Sequence, residues 1–108
     1  MIARTWHGMV PSNRADEYAE YLSRTGVPDY EATPGNRGVY VLRRTEEDRV
    51  HFLLVSFWAS EEAIRAFAGD DITRARYYEA DREFLLELEP NVIHYDVVSA
   101  PAPEESAS

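Results

Sequence analysis

The chain has 108 residues, enough for one domain around one core. It contains no cysteine, which excludes disulfides, thiol nucleophiles and Cys-held zinc and suits a reducing cytoplasm, the expected location. A net charge of −9 argues against nucleic acid as a partner, since phosphate binding needs a basic surface, and most simply serves solubility.

An apolar share of 44% fits a globular protein, and no apolar run reaches the ~18 residues of a membrane span. Met1 to His7 lacks the apolar core of a signal peptide and reads as the start of a strand. That first strand runs from about Ile2 to Val10 and stops at Pro11. Ser12 or Asn13 can cap the helix that follows, and Asp16 and Glu17 suit its first turn. Ala15, Tyr18, Ala19 and Leu22 form one apolar stripe at helical spacing, and Gly26 and Pro28 are expected to end the helix. A turn-rich connector, residues 27–37, leads to a second strand over Gly38 to Arg44. The polar turn Thr45-Glu46-Glu47-Asp48 makes a hairpin with the third strand, His51 to Trp58.

The third strand is the most informative stretch. Side chains alternate across a strand, so Phe52, Leu54 and Trp58 share one face and Leu53, Val55 and Phe57 the other. Both faces are apolar, and a chain this short has few helices to cover them. A helix follows from about Glu61 to Ala68, ended by Gly69, and a further short helix is expected over Asp71 to Tyr78. Residues 84–88 are ambiguous between helical turn and strand, Pro90 closes them, and Asn91 to Val98 reads as the last strand. Residues 99–108 are expected to form a disordered tail after a single domain over residues 1–98.

The order β-α-β-β-α-α-β is the ferredoxin-like arrangement, an α+β fold with a four-stranded antiparallel sheet covered by helices on one face. The uncovered apolar face is expected to meet a second copy, giving a two-fold homodimer.

In the stretch from Phe52 through Trp58 to Ala63 and in the closing strand Asn91 to Val98, the chain resembles the antibiotic biosynthesis monooxygenase family of the dimeric α+β-barrel superfamily. The segments Gly69 to Tyr78 and Glu87 to Pro90 are similar to a subgroup without a defined substrate. The resemblance covers nearly all of residues 2–98, and implies a dimeric barrel with a pocket between helices and sheet. The family holds cofactor-free oxygenases of polycyclic phenols, haem-degrading enzymes and proteins of unknown role. The haem degraders' characteristic asparagine, tryptophan and ligating histidine correspond here to His7, Phe67 and Tyr77. None of the three is retained, which argues against haem degradation.

With the odd-numbered side of the first strand toward the helices, His7 points into that pocket as a general base, and Trp6 lies on the dimer side. The plainer alternative is a histidine hydrogen-bonded in the core or at the dimer seam. Tyr77 and Tyr78 are about 100° apart on a helix, so at most one points fully inward, where its hydroxyl can steady an enolate oxygen. Phe67, Trp58, Tyr30 and Tyr78 are the candidate walls of a site for a flat aromatic, although packing accounts for much of an aromatic share of 12%.

His51, at the strand start, is expected to be exposed. No ligand spacing joins it to His7 or His94, so no metal is expected, and no glycine-rich phosphate motif marks a nucleotide or flavin site. The expected function is a cofactor-independent monooxygenase of a small phenolic or anthrone-like substrate, with His7 and Tyr77 catalytic. The alternatives are a non-redox lyase, isomerase or cyclase in the same pocket, and a non-catalytic ligand-binding dimer.

Overall fold

The computed structural model describes residues 1–101. The elements are β1 (Ile2–Pro11), a 3-10 turn (Ser12–Arg14), α1 (Ala15–Arg24), α2 (Gly26–Ala32), β2 (Asn36–Glu46), β3 (Arg49–Trp58), α3 (Glu61–Ala68), α4 (Asp81–Phe84) and β4 (Ile93–Asp96). The sheet order is β2-β3-β1-β4, with every neighbouring pair antiparallel. This is the ferredoxin-like α+β fold. The expected tail falls mostly on residues 102–108, outside the described residues. No described helix is long and apolar enough to cross a membrane.

One sheet face carries the helices and the core. Trp6 and Val10 of β1, Phe52, Leu54 and Trp58 of β3, Tyr18 and Leu22 of α1, Tyr30 of α2, and Ile64 and Phe67 of α3 are all buried there. Burying this many large side chains is the main favourable term for folding a chain of this size. Ser60 caps α3 by accepting from the Ala63 amide at 3.2 Å. Before β2 the chain turns at Gly35, whose φ of +92° suits glycine, and whose Ala replacement would put a Cβ 2.5 Å from that of Ala63.

Two expected segments differ. The first helix ends at Arg24, just before Gly26 as expected, but Gly26 and Pro28 then begin α2, which takes up most of the expected connector. Proline is tolerated in a first turn because its missing N–H has no carbonyl to serve there. The expected helix over Asp71 to Tyr78 does not form. The Asp71 carboxylate instead accepts from the amide and hydroxyl of Thr73, a local bond that competes with helix. Backbone bonds then tie this segment to the approach to β4, Ala75 donating to Pro90 at 2.9 Å and Val92 to Thr73 at 2.8 Å.

Candidate functional site

The parity of β1 decides which residues meet. Trp6 is buried beneath the helices, and His7 projects from the opposite, open face. The expected orientation is therefore reversed: Trp6 lies in the helix-covered space and His7 outside it. The registers His7↔Leu53, Thr5↔Val55 and Leu42↔Leu53 place these side chains together on the open face. Ile93 and Tyr95, paired with Thr5 and Ala3, extend it across β4.

His7 belongs to a chain of four polar side chains. Its Nδ1 donates to Glu89 Oε2 at 2.5 Å, and its Nε2 lies 2.8 Å from Nδ1 of His51. His51 Nε2 in turn donates to Glu46 Oε1 at 2.8 Å. The two imidazoles overlap, with centroids 5.1 Å apart and planes 29° from parallel. His51 is half-buried by this contact rather than exposed. A cavity of about 380 Å³ adjoins the pair, lined by His7, Leu42, Arg43, Arg44, His51 and Leu53. A second, of about 220 Å³, lies on the other side of His7 against Glu89, Ile93 and Tyr95.

Tyr77 is close to this chain but faces a backbone group. Its hydroxyl donates to the carbonyl of Glu89, and its ring meets Trp6 edge-on at 6.0 Å. Burial, and next the nearby Glu89 charge, push the phenol up to about 12, so it remains a donor at neutral pH.

The other expected wall residues lie on the helix side, away from His7. Tyr30 stacks on Phe67 with centroids 4.4 Å apart, and Phe67 packs against Trp58 at 5.5 Å. The Trp58 indole donates to Ser56 Oγ at 2.8 Å. The Tyr78 hydroxyl donates to Asp29 Oδ2 at 2.5 Å. Burial raises the phenols of both Tyr30 and Tyr78 above the usual range. Tyr30, Phe67 and Tyr78 border a cavity of only about 20 Å³, room for about one water molecule. The aromatic walls have filled their own pocket.

The helix side also holds Arg4, 1% exposed, whose Nη2 donates to the Arg74 carbonyl at 3.0 Å while Nε and Nη1 lack partners among the described residues. His94 lies across from it on β4. Burial, and then the Arg4 charge, hold the His94 imidazole below its usual range. Among the described residues, no group of three or more His, Cys, Asp or Glu side chains is placed to hold a metal ion.

Sequence reasoning singled out His7 but missed Glu46, His51 and Glu89 as its companions. The hairpin held a signal for the first two. With a two-residue turn at Glu47-Asp48, Glu46 faces Arg49, and His51 is its diagonal neighbour. Glu89 sits in irregular chain, where no periodicity points to a partner.

A model of the antibiotic biosynthesis monooxygenase family matches residues 1–75. No curated protein matches significantly. Among solved structures, the haem degrader MhuD from Mycobacterium tuberculosis, with two haems bound in its active site, is similar at a TM-score of 0.62 and 19% identity, covering 94% of this chain and 100% of that one. A protein of unknown function from Nitrosomonas europaea gives 0.63 at 15% identity, covering 94% and 93%. A candidate antibiotic biosynthesis monooxygenase from Bacillus cereus gives 0.62 at 20% identity, covering 94% and 96%. At these identities the likeness is one of fold.

Proposed function

Because the chain belongs to the antibiotic biosynthesis monooxygenase family, we propose that it is a homodimeric, cofactor-independent oxygenase of a small phenolic or anthrone-like molecule. The site lies on the open sheet face beside His7. The observation that carries this reading is the short bond from His7 Nδ1 to Glu89 at the edge of a cavity large enough for such a molecule.

Glu89 fixes the ring and stabilises the cation that forms when His7 takes the substrate's hydroxyl proton. Leu42 and Leu53 offer apolar walls. The electron-rich anion then reduces oxygen: one oxygen atom enters the substrate and the other leaves as water, with the substrate supplying the electrons. Tyr77, placed at the sequence level on the enolate oxygen, acts here by holding the Glu89 backbone.

The composition of the open face supports the dimer. Tyr40, Ile93 and Tyr95 are 63%, 59% and 55% exposed, and Leu42, Leu53, Val55 and Phe57 lie among them. A second copy packed sheet to sheet would bury roughly 800 Å² per partner and exclude water from the His7 cavity. The closed helix side favours this placement over one that admits a haem, the ligand of the MhuD structure.

Oxygen uptake with a panel of anthrones and polyphenols is the test. On any accepted substrate, His7→Ala is expected to lower turnover by about 10²- to 10⁴-fold. Full turnover by that variant removes the base. Conversion of substrate without oxygen uptake makes the protein a lyase, isomerase or cyclase instead.

A further inference from the structure

The polar chain Glu89–His7–His51–Glu46 has three gaps, and proton counting fixes what fills them. A carboxylate only accepts, so the outer bonds take their hydrogens from His7 Nδ1 and His51 Nε2. Each neutral imidazole has one N–H. Both are thereby used, leaving His7 Nε2 and His51 Nδ1 to face each other as two lone pairs 2.8 Å apart. That is hydrogen-bond distance with no hydrogen in it. One added proton converts repulsion into a bond, whereas two would set N–H against N–H. Among the described residues no third ligand converges to hold a metal ion in the gap.

We propose that His7 and His51 form one acceptor site, binding a single shared proton, and that an acidic hydroxyl compound (a phenol or an enol) in the adjoining cavity delivers it. The substrate O–H bond breaks, its electron pair stays on oxygen, and the new N–H bond closes the gap between the rings. The identity of the ligand rests on the oxygenase reading; the proton count does not.

The surrounding charges suit this transfer. Glu46 from β2 and Glu89 from the approach to β4 flank the pair, so their two negative charges stabilise one imidazolium. Arg43 and Arg44 of β2 line the cavity the anion would occupy. Arg43 is also paired with Asp16 at 2.9 Å, which leaves Arg44 the freer counter-charge. Arg49 starts β3 beside Asp48, Met9 opposite His51 is uncharged, and Tyr77 and Tyr95 on the C-terminal side carry phenols. His51 is thus a second catalytic residue and Glu46 its positioning residue.

The test is a titration of the histidine ring signals by NMR on the ¹⁵N-labelled full chain, from about pH 9 to about pH 5. The His7 and His51 signals should move through one shared transition that takes up one proton. In His51→Gln or His7→Gln, the remaining ring should take up a whole proton of its own. Two protons bound by the wild-type pair over that range would overturn the shared site, a result read from the native protein whether or not a variant folds. The ligand is tested with 4-nitrophenol, whose colour reports ionisation. It should bind to the wild type as the anion and about tenfold more weakly to His51→Gln. Failure to bind, or binding as the neutral phenol, overturns delivery by the ligand. A one-proton pair with no oxygen uptake on any substrate defeats the oxygenase reading alone, and a two-proton pair defeats the shared site alone.

Discussion

The Tyr77 hydroxyl donates to the backbone carbonyl of Glu89, the residue whose carboxylate receives the His7 ring. A tyrosine packed against the core therefore helps to anchor an acid beside His7. Tyr77→Phe removes only the donor. It should cost about 1 kcal/mol in urea unfolding and shift the His7 ring signals, because Glu89 is no longer anchored. Unchanged His7 signals would show that Glu89 is held by other contacts.

Leu53 lies at the centre of the open face, paired with Leu42 on one side and His7 on the other, and is 36% exposed. In the proposed dimer a charge there would be buried against the second copy without a partner. Leu53→Lys should convert dimer to monomer in sedimentation at micromolar concentration, with the far-ultraviolet circular dichroism unchanged. A wild-type chain that sediments as a monomer at the same concentration refutes the sheet-to-sheet assembly.

His94 sets an acid limit on stability. Its folded-state imidazole is held below the ordinary value of 6.5 by burial and by Arg4. As pH falls below 6.5, the unfolded chain takes up a proton that the native chain refuses, so stability declines until the native ring titrates as well. His94→Gln abolishes that uptake. The variant should lose less stability than the wild type between about pH 7 and about pH 5, measured by paired urea melts. Equal losses would mean that His94 is not the group responsible.

Gly8 sits on the helix-facing side of β1, beneath Trp6 and Leu85. A Cβ at this position would lie 2.5 Å from the Trp6 ring and 2.8 Å from a Leu85 methyl. Gly8→Ala should therefore cost about 1–3 kcal/mol by overpacking, although alanine suits a strand better than glycine. A neutral or stabilising result in thermal melts would show that the indole has room to move.

The two-faced pattern of residues 51–58 made the sheet and its uncovered side legible, because side-chain alternation is a local property of any strand. The same regularity placed α3, whose Ser60 cap, apolar stripe and Gly69 stop are written in adjacent residues. The segment 71–78 was not legible. A helical pattern there lost to the Asp71 bonds with Thr73 and to pairing with residues 90–92, partners too distant for any window of sequence to contain. Of the proposed site, His7 stood out in the sequence as a titratable group in mid-strand, while the companions it meets in the structure did not.

Local order and the patterning of faces were determined by the amino-acid sequence, since each depends on neighbours within a few residues. Only the tertiary structure decided which side of β1 faces the helices. A one-residue change of parity exchanges every side chain between core and open face, and that choice is made by packing Trp6 against residues far along the chain. It put His7 beside His51 and Glu89 and closed Phe67, Trp58 and Tyr30 upon one another. The proposed chemistry therefore lies on the face that the helices leave bare.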